Sequence, residues 1–190
     1  MKIDKAVQCT PSTVMDEGKQ FSFHIGVNRD IYIVHDSKTG KITFETKSED
    51  GKVNKRRTLA LSPQSWSLFC DHLTDIEEAV MQVEDGEENL MYKLHLGNLV
   101  FVTVQSNYRM VDLRTWFVPR QAEENPSLDS LKPGIPGIAL KLPEFRNVLQ
   151  NLTDIHKSLG IELVEPCVFT HENQEAAVAC TVCNSKGLFY

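Results

Sequence analysis

Two stretches decide how this chain is organised: Leu59-Ala60-Leu61-Ser62-Pro63-Gln64-Ser65-Trp66, leading to Leu73-Thr74-Asp75-Ile76, and the later echo Leu152-Thr153-Asp154-Ile155. The echo lies 79 positions on, and the same offset carries Trp66 onto Phe145 and Leu61 onto Leu140. Pro63 answers Pro143 at 80, and upstream His24-Ile25-Gly26 answers His95-Leu96-Gly97 at 71. Landmarks repeated in one order indicate a duplication. The change of offset gives the second copy about eight extra residues, the length of a longer loop.

Within each copy, the residues before the proline alternate between apolar and polar. Ile31, Ile33, Ile42 and Phe44 mark the first copy; Leu99 to Val104, then Met110, Val111 and Leu113, mark the second. Such period-two runs, broken by Asp36-Ser37-Lys38-Thr39-Gly40 and by Gln105-Ser106-Asn107, predict antiparallel strands with turns. The stretch from Pro119 to Pro136, with Glu123, Glu124, Pro126 and Gly134, reads as a polar loop before a last strand at Gly137 to Leu140. Ser62-Pro63 is a helix start, because the hydroxyl can take a free amide and proline suits the first turn. Trp66, Phe69, Leu73, Ile76, Val80 and Val83 then recur at three–four spacing, as do Phe145, Val148, Leu152, Ile155 and Leu159 ahead of Gly160. Each helix carries one apolar stripe that must be buried on a sheet or on another helix.

The overall charge is −6, which on its face argues against a nucleic-acid partner. Its distribution answers the objection. Lys38, Lys41, Lys47, Lys52, Lys55, Arg56 and Arg57 crowd the strand region, opposed by Glu45, Glu49 and Asp50. From Ser62 to Glu88 there are eight acidic residues and no lysine or arginine. A phosphate responds to charges within about 8 Å at physiological salt, so local sign outweighs the total. The second copy is less basic and more aromatic, with Tyr108, Arg109, Arg114, Trp116, Phe117, Arg120 and Lys132 on its hairpin and loop. Cations interleaved with rings suit single strands, whose phosphates and splayed bases they hold together. Trp116 and Phe117 are adjacent, so on a strand one of them faces away from the core.

These residues resemble the carboxy-terminal domain of the transcriptional coactivator positive cofactor four. The resemblance rests on His24-Ile25-Gly26, the hairpin at Gly40-Lys41, Leu59 to Trp66 and Leu73 to Val80 in the first copy. In the second it rests on Val111-Asp112-Leu113-Arg114-Thr115-Trp116-Phe117 and on Lys132-Pro133-Gly134 before Gly137-Ile138-Ala139-Leu140. Together the copies cover roughly residues 20 to 160. The family implies an α+β fold: two tandem modules, each a curved four-stranded antiparallel sheet followed by a helix, paired within one chain as a pseudo-dimer. The expected boundaries are an extension at 1–19, modules at 20–88 and 89–160, and a tail at 161–190. The family also implies grooves for opposed single strands, as in melted DNA, in transcription or replication. By position, the contacts would come from Lys41, Lys47, Arg56 and Arg57, then from Arg114, Phe117 and Lys132, with Tyr108 and Arg109 at the hairpin tip. Lys38, Lys55, Trp116 and Arg120 complete the expected surface. Val27 and Asn98 stand where the family has lysine, and the first copy lacks the ring that Phe117 supplies.

The expected partners are single-stranded or unwound DNA, or RNA, with transcription or replication proteins and self-association. The alternative is a duplicated scaffold for protein contacts, its acidic helices meeting basic partners. No phosphate loop, nucleophile elbow or His-Glu-x-x-His occurs, so no enzyme is expected. No apolar run approaches the roughly 20 residues of a membrane span. The start, Met1 to Thr10, lacks the apolar stretch of a secretory signal. Five scattered cysteines point to a reducing compartment, nucleus or cytosol. In the tail, Cys167, His171, Cys180 and Cys183 make zinc conceivable. Ala176 to Cys183 reads equally as a strand paired with Leu163 to Phe169, a hairpin that would turn Cys180 and Cys183 to opposite faces. No cofactor and no metal is therefore expected.

Overall fold

A computed structural model describes residues 21–122, 127–165, 167, 171 and 174–184. The expected extension at 1–19, Glu123, Glu124 and Pro126 lie outside the described residues.

The first half forms a sheet in the order β1 (Phe21–His24), β2 (Asp30–Asp36), β3 (Lys41–Lys47) and β4 (Val53–Leu61), every neighbour antiparallel. Helices α1 (Pro63–Asp71) and α2 (Leu73–Glu84) follow. The second half repeats this with β5 (Met91–His95), β6 (Val100–Gln105), β7 (Tyr108–Phe117) and β8 (Lys132–Lys141), then α3 (Leu142–Leu159). The α+β duplication is thus present. The strand registers match as well: Ile42 faces Leu61 across β3 and β4, and Val111 faces Leu140 across β7 and β8. The extra length of the second copy falls between β7 and β8.

Local chemistry places the helices. The Ser62 hydroxyl accepts the Ser65 amide at 3.1 Å and Pro63 opens the first turn, while α3 ends at Gly160 with φ +62°. The single helix expected after Pro63 is interrupted at His72, whose backbone leaves helical geometry (φ −103°, ψ 13°).

Alternation decides which face of each sheet meets the helices. Phe23, Ile33, Ile42, Phe44, Leu59 and Leu61 of the first sheet point into the core beside Trp66 and Phe69 of α1. Leu94, Val102, Val104, Val111, Leu113, Ile138 and Leu140 do so from the second. The helices exchange partners. α2 packs on β6 and β7 of the other half, α3 reaches β1 and β2, and β4 runs beside β8. One continuous core results, and it is tied by polar contacts. Arg29 donates to Glu144, which is 1% exposed and also accepts the Lys141 amide at 2.8 Å. The Trp66 indole donates to His156 Nε2 at 3.0 Å, and His35 Nδ1 donates to the Leu159 carbonyl at 2.7 Å.

The tail corrects one expectation. Ala176 to Cys183 is not a strand: α4 (Gln174–Ala179) is helical, and 181–183 form a turn. Alanines without branching favour helix over strand here, and the docked tail finds its backbone partners on the second module rather than in a hairpin. The Gln174 side-chain oxygen accepts the His95 amide, and the Cys183 carbonyl accepts the Asn98 amide at 2.8 Å.

Candidate nucleic-acid interface

The helices leave one face of each sheet without a helix from the duplicated core. On the first sheet this face carries His24, Tyr32, Thr43, Glu45 and Lys47, with Lys41 at its hairpin end. The Lys47 ammonium sits 4.4 Å from the centre of the Tyr32 ring. Desolvated cation–ring pairs of this kind hold both groups in place. Carboxylates are interspersed: Asp36 lies across from Lys41, Asp30 from Lys47 and Glu45 from Tyr32. Asp36 is occupied with its own turn, accepting Thr39 Oγ1 and the Lys38 amide, and these hydrogen bonds hold its carboxyl below the usual range.

Beyond this face, Lys55, Arg56 and Arg57 of β4 are all exposed. Among the described residues none of these three has a carboxylate within ion-pair distance, whereas Lys52 is held by Asp50 at 2.7 Å. A β-bulge between Glu45 and Lys47, beside the turn at Gly51 (φ +76°), carries this ribbon out of the regular ladder. Lys38 is exposed at the β2–β3 turn. The first half therefore gathers Lys41, Lys47 and Tyr32 on one face, with Lys55, Arg56 and Arg57 along the strand that borders it.

The corresponding face of the second sheet has another character. Arg114 lies on it, but its Nε and Nη2 donate to Asp112 and its Nη1 to the Gly134 carbonyl at 3.4 Å, and the pairing with Asp112 raises the guanidinium pKa. Its charge is answered before any phosphate arrives. Trp116 lies on the same face, stacked edgewise on Phe101 with centroids 5.6 Å apart, and the Lys93 ammonium rests 3.9 Å from the Trp116 ring. Desolvation among these groups lowers the Lys93 pKa. Val178 of α4 and Leu131 of the long loop close over Leu99 and Phe101 in a small second core, with Trp116, Val118 and Leu128 packed around it. His95, 3% exposed under this cover, is pushed down to about 4, first by burial and then by His171 and Lys93. What stays open is a cleft of about 530 Å³ toward the β6–β7 hairpin, bounded by Thr103, Tyr108, Met110, Asp112, Arg114 and Trp116.

The expected residues of the second half thus separate. Tyr108 and Arg109 are exposed at the hairpin tip; Arg120 and Lys132 are exposed on the connection. Phe117 is 48% exposed and lies with Pro133 and Ile135 (71% exposed) around a shallow apolar surface, away from Arg114. Tyr32 and Lys93 were not anticipated. Their signal was present: each is the polar or aromatic residue out of phase with apolar neighbours, Tyr32 between Ile31 and Ile33, Lys93 between Tyr92 and Leu94.

Cys167, His171, Cys180 and Cys183 also come together in the tail, their ligand atoms all within 4.8 Å of one another. Cys70 is apart from them, and burial pushes its thiol up to about 12, which leaves it a poor nucleophile. No helix among the described residues is long and apolar enough to cross a membrane. No family model, curated protein or solved structure matches the chain.

Proposed function

We propose that the chain binds single-stranded or locally melted DNA through its first module, and that the second module serves mainly as the frame that holds it. The observation that carries this reading is the run Lys55-Arg56-Arg57, exposed and without acidic partners among the described residues, beside the Tyr32–Lys47 pair. Phosphates supply sequence-independent affinity to such a run. A ring already propped by a cation offers a face on which a base can stack, worth about 1–3 kcal/mol. The acids of α2, including Glu77 and Glu78, lie on a helix that packs against the core and not on this face. They repel nucleic acid from the back of the molecule. The expected two-groove arrangement is thereby narrowed: Arg114 and Trp116 are engaged within the protein, and the proposal does not rest on them.

Fluorescence anisotropy with labelled oligo-thymidine across a salt series tests it. Binding should weaken steeply as salt rises, and Lys47→Ala with Arg56→Ala should reduce both affinity and salt dependence. Absence of binding at low salt would leave the second reading, a protein-contact scaffold, favoured by the exposed Phe117 and Ile135. Unlabelled oligo-uridine as competitor separates DNA from RNA preference.

A further inference from the structure

The tail cysteines and histidine sit in three separate places along the chain. Cys167 lies before α4, His171 on the approach to it, and Cys180 and Cys183 frame the turn after it. None of the three cysteines is in a disulfide. Folding brings Cys167 Sγ to 4.0 Å from Cys180 Sγ, and His171 Nε2 to 3.2 Å from Cys183 Sγ. In a tetrahedral zinc site, bonds of about 2.3 Å to sulfur and 2.0 Å to nitrogen put neighbouring ligand atoms roughly 3.5 to 3.8 Å apart. The observed spread, up to 4.8 Å, is that tetrahedron slightly opened.

The turn supplies more than proximity. The Val182 and Cys183 amides both point to Cys180 Sγ, and the Asn184 amide donates to the Cys180 carbonyl at 2.8 Å. Amides aimed at a sulfur fix its direction, the service that surrounding groups perform for metal ligands. A strand would have sent Cys180 and Cys183 to opposite sides. The helix and turn direct both inward.

We propose that Cys167, His171, Cys180 and Cys183 bind one zinc ion, and that the metal fastens the tail over the second sheet. The described part of the tail from Cys167 onward contributes few buried apolar side chains of its own, chiefly Val178 and Cys183. Segments that cannot bury a core commonly depend on a structural metal. The zinc-bearing turn is also the docking point. The Cys183 carbonyl accepts the Asn98 amide, and it lies where a Cβ on Gly97 would stand only 2.9 Å away. Gly97 (φ +93°), Asn98 (φ +49°) and Leu99 (φ +56°) run consecutively in left-handed backbone, so the turn the tail grips is itself unusual. Leu99 then meets Val178 beneath α4. Metal binding releases the thiol protons, and the site with three thiolates and a neutral imidazole carries one net negative charge.

The test uses the full chain, purified under reducing conditions, desalted and assayed for metal by plasma mass spectrometry. One zinc per chain is expected. After chelation and dialysis, titration with Co²⁺ should give the thiolate charge-transfer band and the intense visible d–d bands of a tetrahedral site. Cys180→Ser and His171→Ala should lose bound zinc and weaken those bands, while Cys70→Ser leaves both unchanged. Hydrogen exchange measured with and without chelator should show the β5–β6 turn at 96–99 and residues 174–184 losing protection together, with strands β2, β3, β6 and β7 unaffected. The assignment is overturned by a metal-free chain whose Co²⁺ spectrum is only the pale octahedral one. A Cys167–Cys180 disulfide found by peptide mass under the same reducing conditions overturns it too, as does zinc that stays stoichiometric in Cys180→Ser.

Discussion

The two helix-free faces occupy matching positions in two modules of the same topology, yet they differ in what they leave available. On the first sheet, Tyr32 and Lys47 hold each other, and the neighbouring ribbon of Lys55, Arg56 and Arg57 has no carboxylate within ion-pair distance among the described residues. The matching strand positions on the second sheet carry Phe101, folded under Leu131 and Val178, and Trp116, half-buried beside it with the Lys93 ammonium over its ring. Where Glu45 stands in β3, β7 has Arg114, and its charge is consumed by Asp112 two residues away. The difference shows that a residue type at the right position does not make a binding site. An arginine recruits phosphate only if no carboxylate has reached it first, and a ring stacks on a base only if the chain has not already buried it.

The largest effect tests the frame both faces share. Arg29→Ala strands the Glu144 carboxylate, 1% exposed, without its cation. Breaking a buried pair by removing one partner costs about 3–5 kcal/mol. Urea denaturation should show a loss of that order, with tryptophan fluorescence and circular dichroism falling together. A loss below 1 kcal/mol would mean that the two halves are not joined through this pair.

The next prediction sets the two faces directly against each other. Arg56→Ala with Arg57→Ala should lower the slope of log affinity against log salt for oligo-thymidine by about 1.4, two phosphate contacts at roughly 0.7 each for single strands. Arg114→Ala should leave that slope nearly unchanged. Equal effects would erase the distinction drawn between the sheets. A smaller change is expected from the rings: Tyr32→Ala should weaken oligonucleotide binding by about 1–2 kcal/mol, one stacked base, at little cost in stability. Trp116→Ala should do the reverse, with thermal unfolding and anisotropy measured on the same samples.

The smallest effect is in pH. Trp66 donates to His156 Nε2, so the ring must be neutral there, and burial lowers its pKa. As pH falls below the ordinary imidazole value of about 6.5, the unfolded chain takes up a proton that the folded chain refuses. Stability is therefore whole above that value and declines as acid approaches the lowered folded pKa. His156→Gln should flatten part of the decline in urea midpoints measured from pH 7.5 to 5. His95 has the same sign and retains the remainder.

The duplication, the strand alternation and the proline-initiated helices were legible because each depends on local spacing. Ser62-Pro63 announces a helix wherever it stands, and Ile31-Tyr32-Ile33 announces a strand. The pairing of Arg114 with Asp112 was less visible, although two residues apart on a strand means one face, and that rule alone could have found it. The cover over Trp116 could not be read, since it comes from Leu131 and Val178, distant in sequence and brought in by the fold. The tail was misjudged for a related reason. An apolar octet such as Ala176 to Cys183 satisfies strand and helix patterns alike, and the helix preference of its alanines together with docking against Gly97 and Asn98 decides between them.

The exchange of helices between sheets has a consequence for how the chain comes to be folded at all. A ribosome that has released only the first module has produced a sheet whose β1–β2 end still waits for α3, and an α2 with nowhere to lie. That half-chain must keep its apolar stripe out of solution by other means until some seventy further residues emerge, roughly 4 to 14 seconds at ordinary elongation rates. Either half expressed alone should need a second molecule to lend it the missing helix.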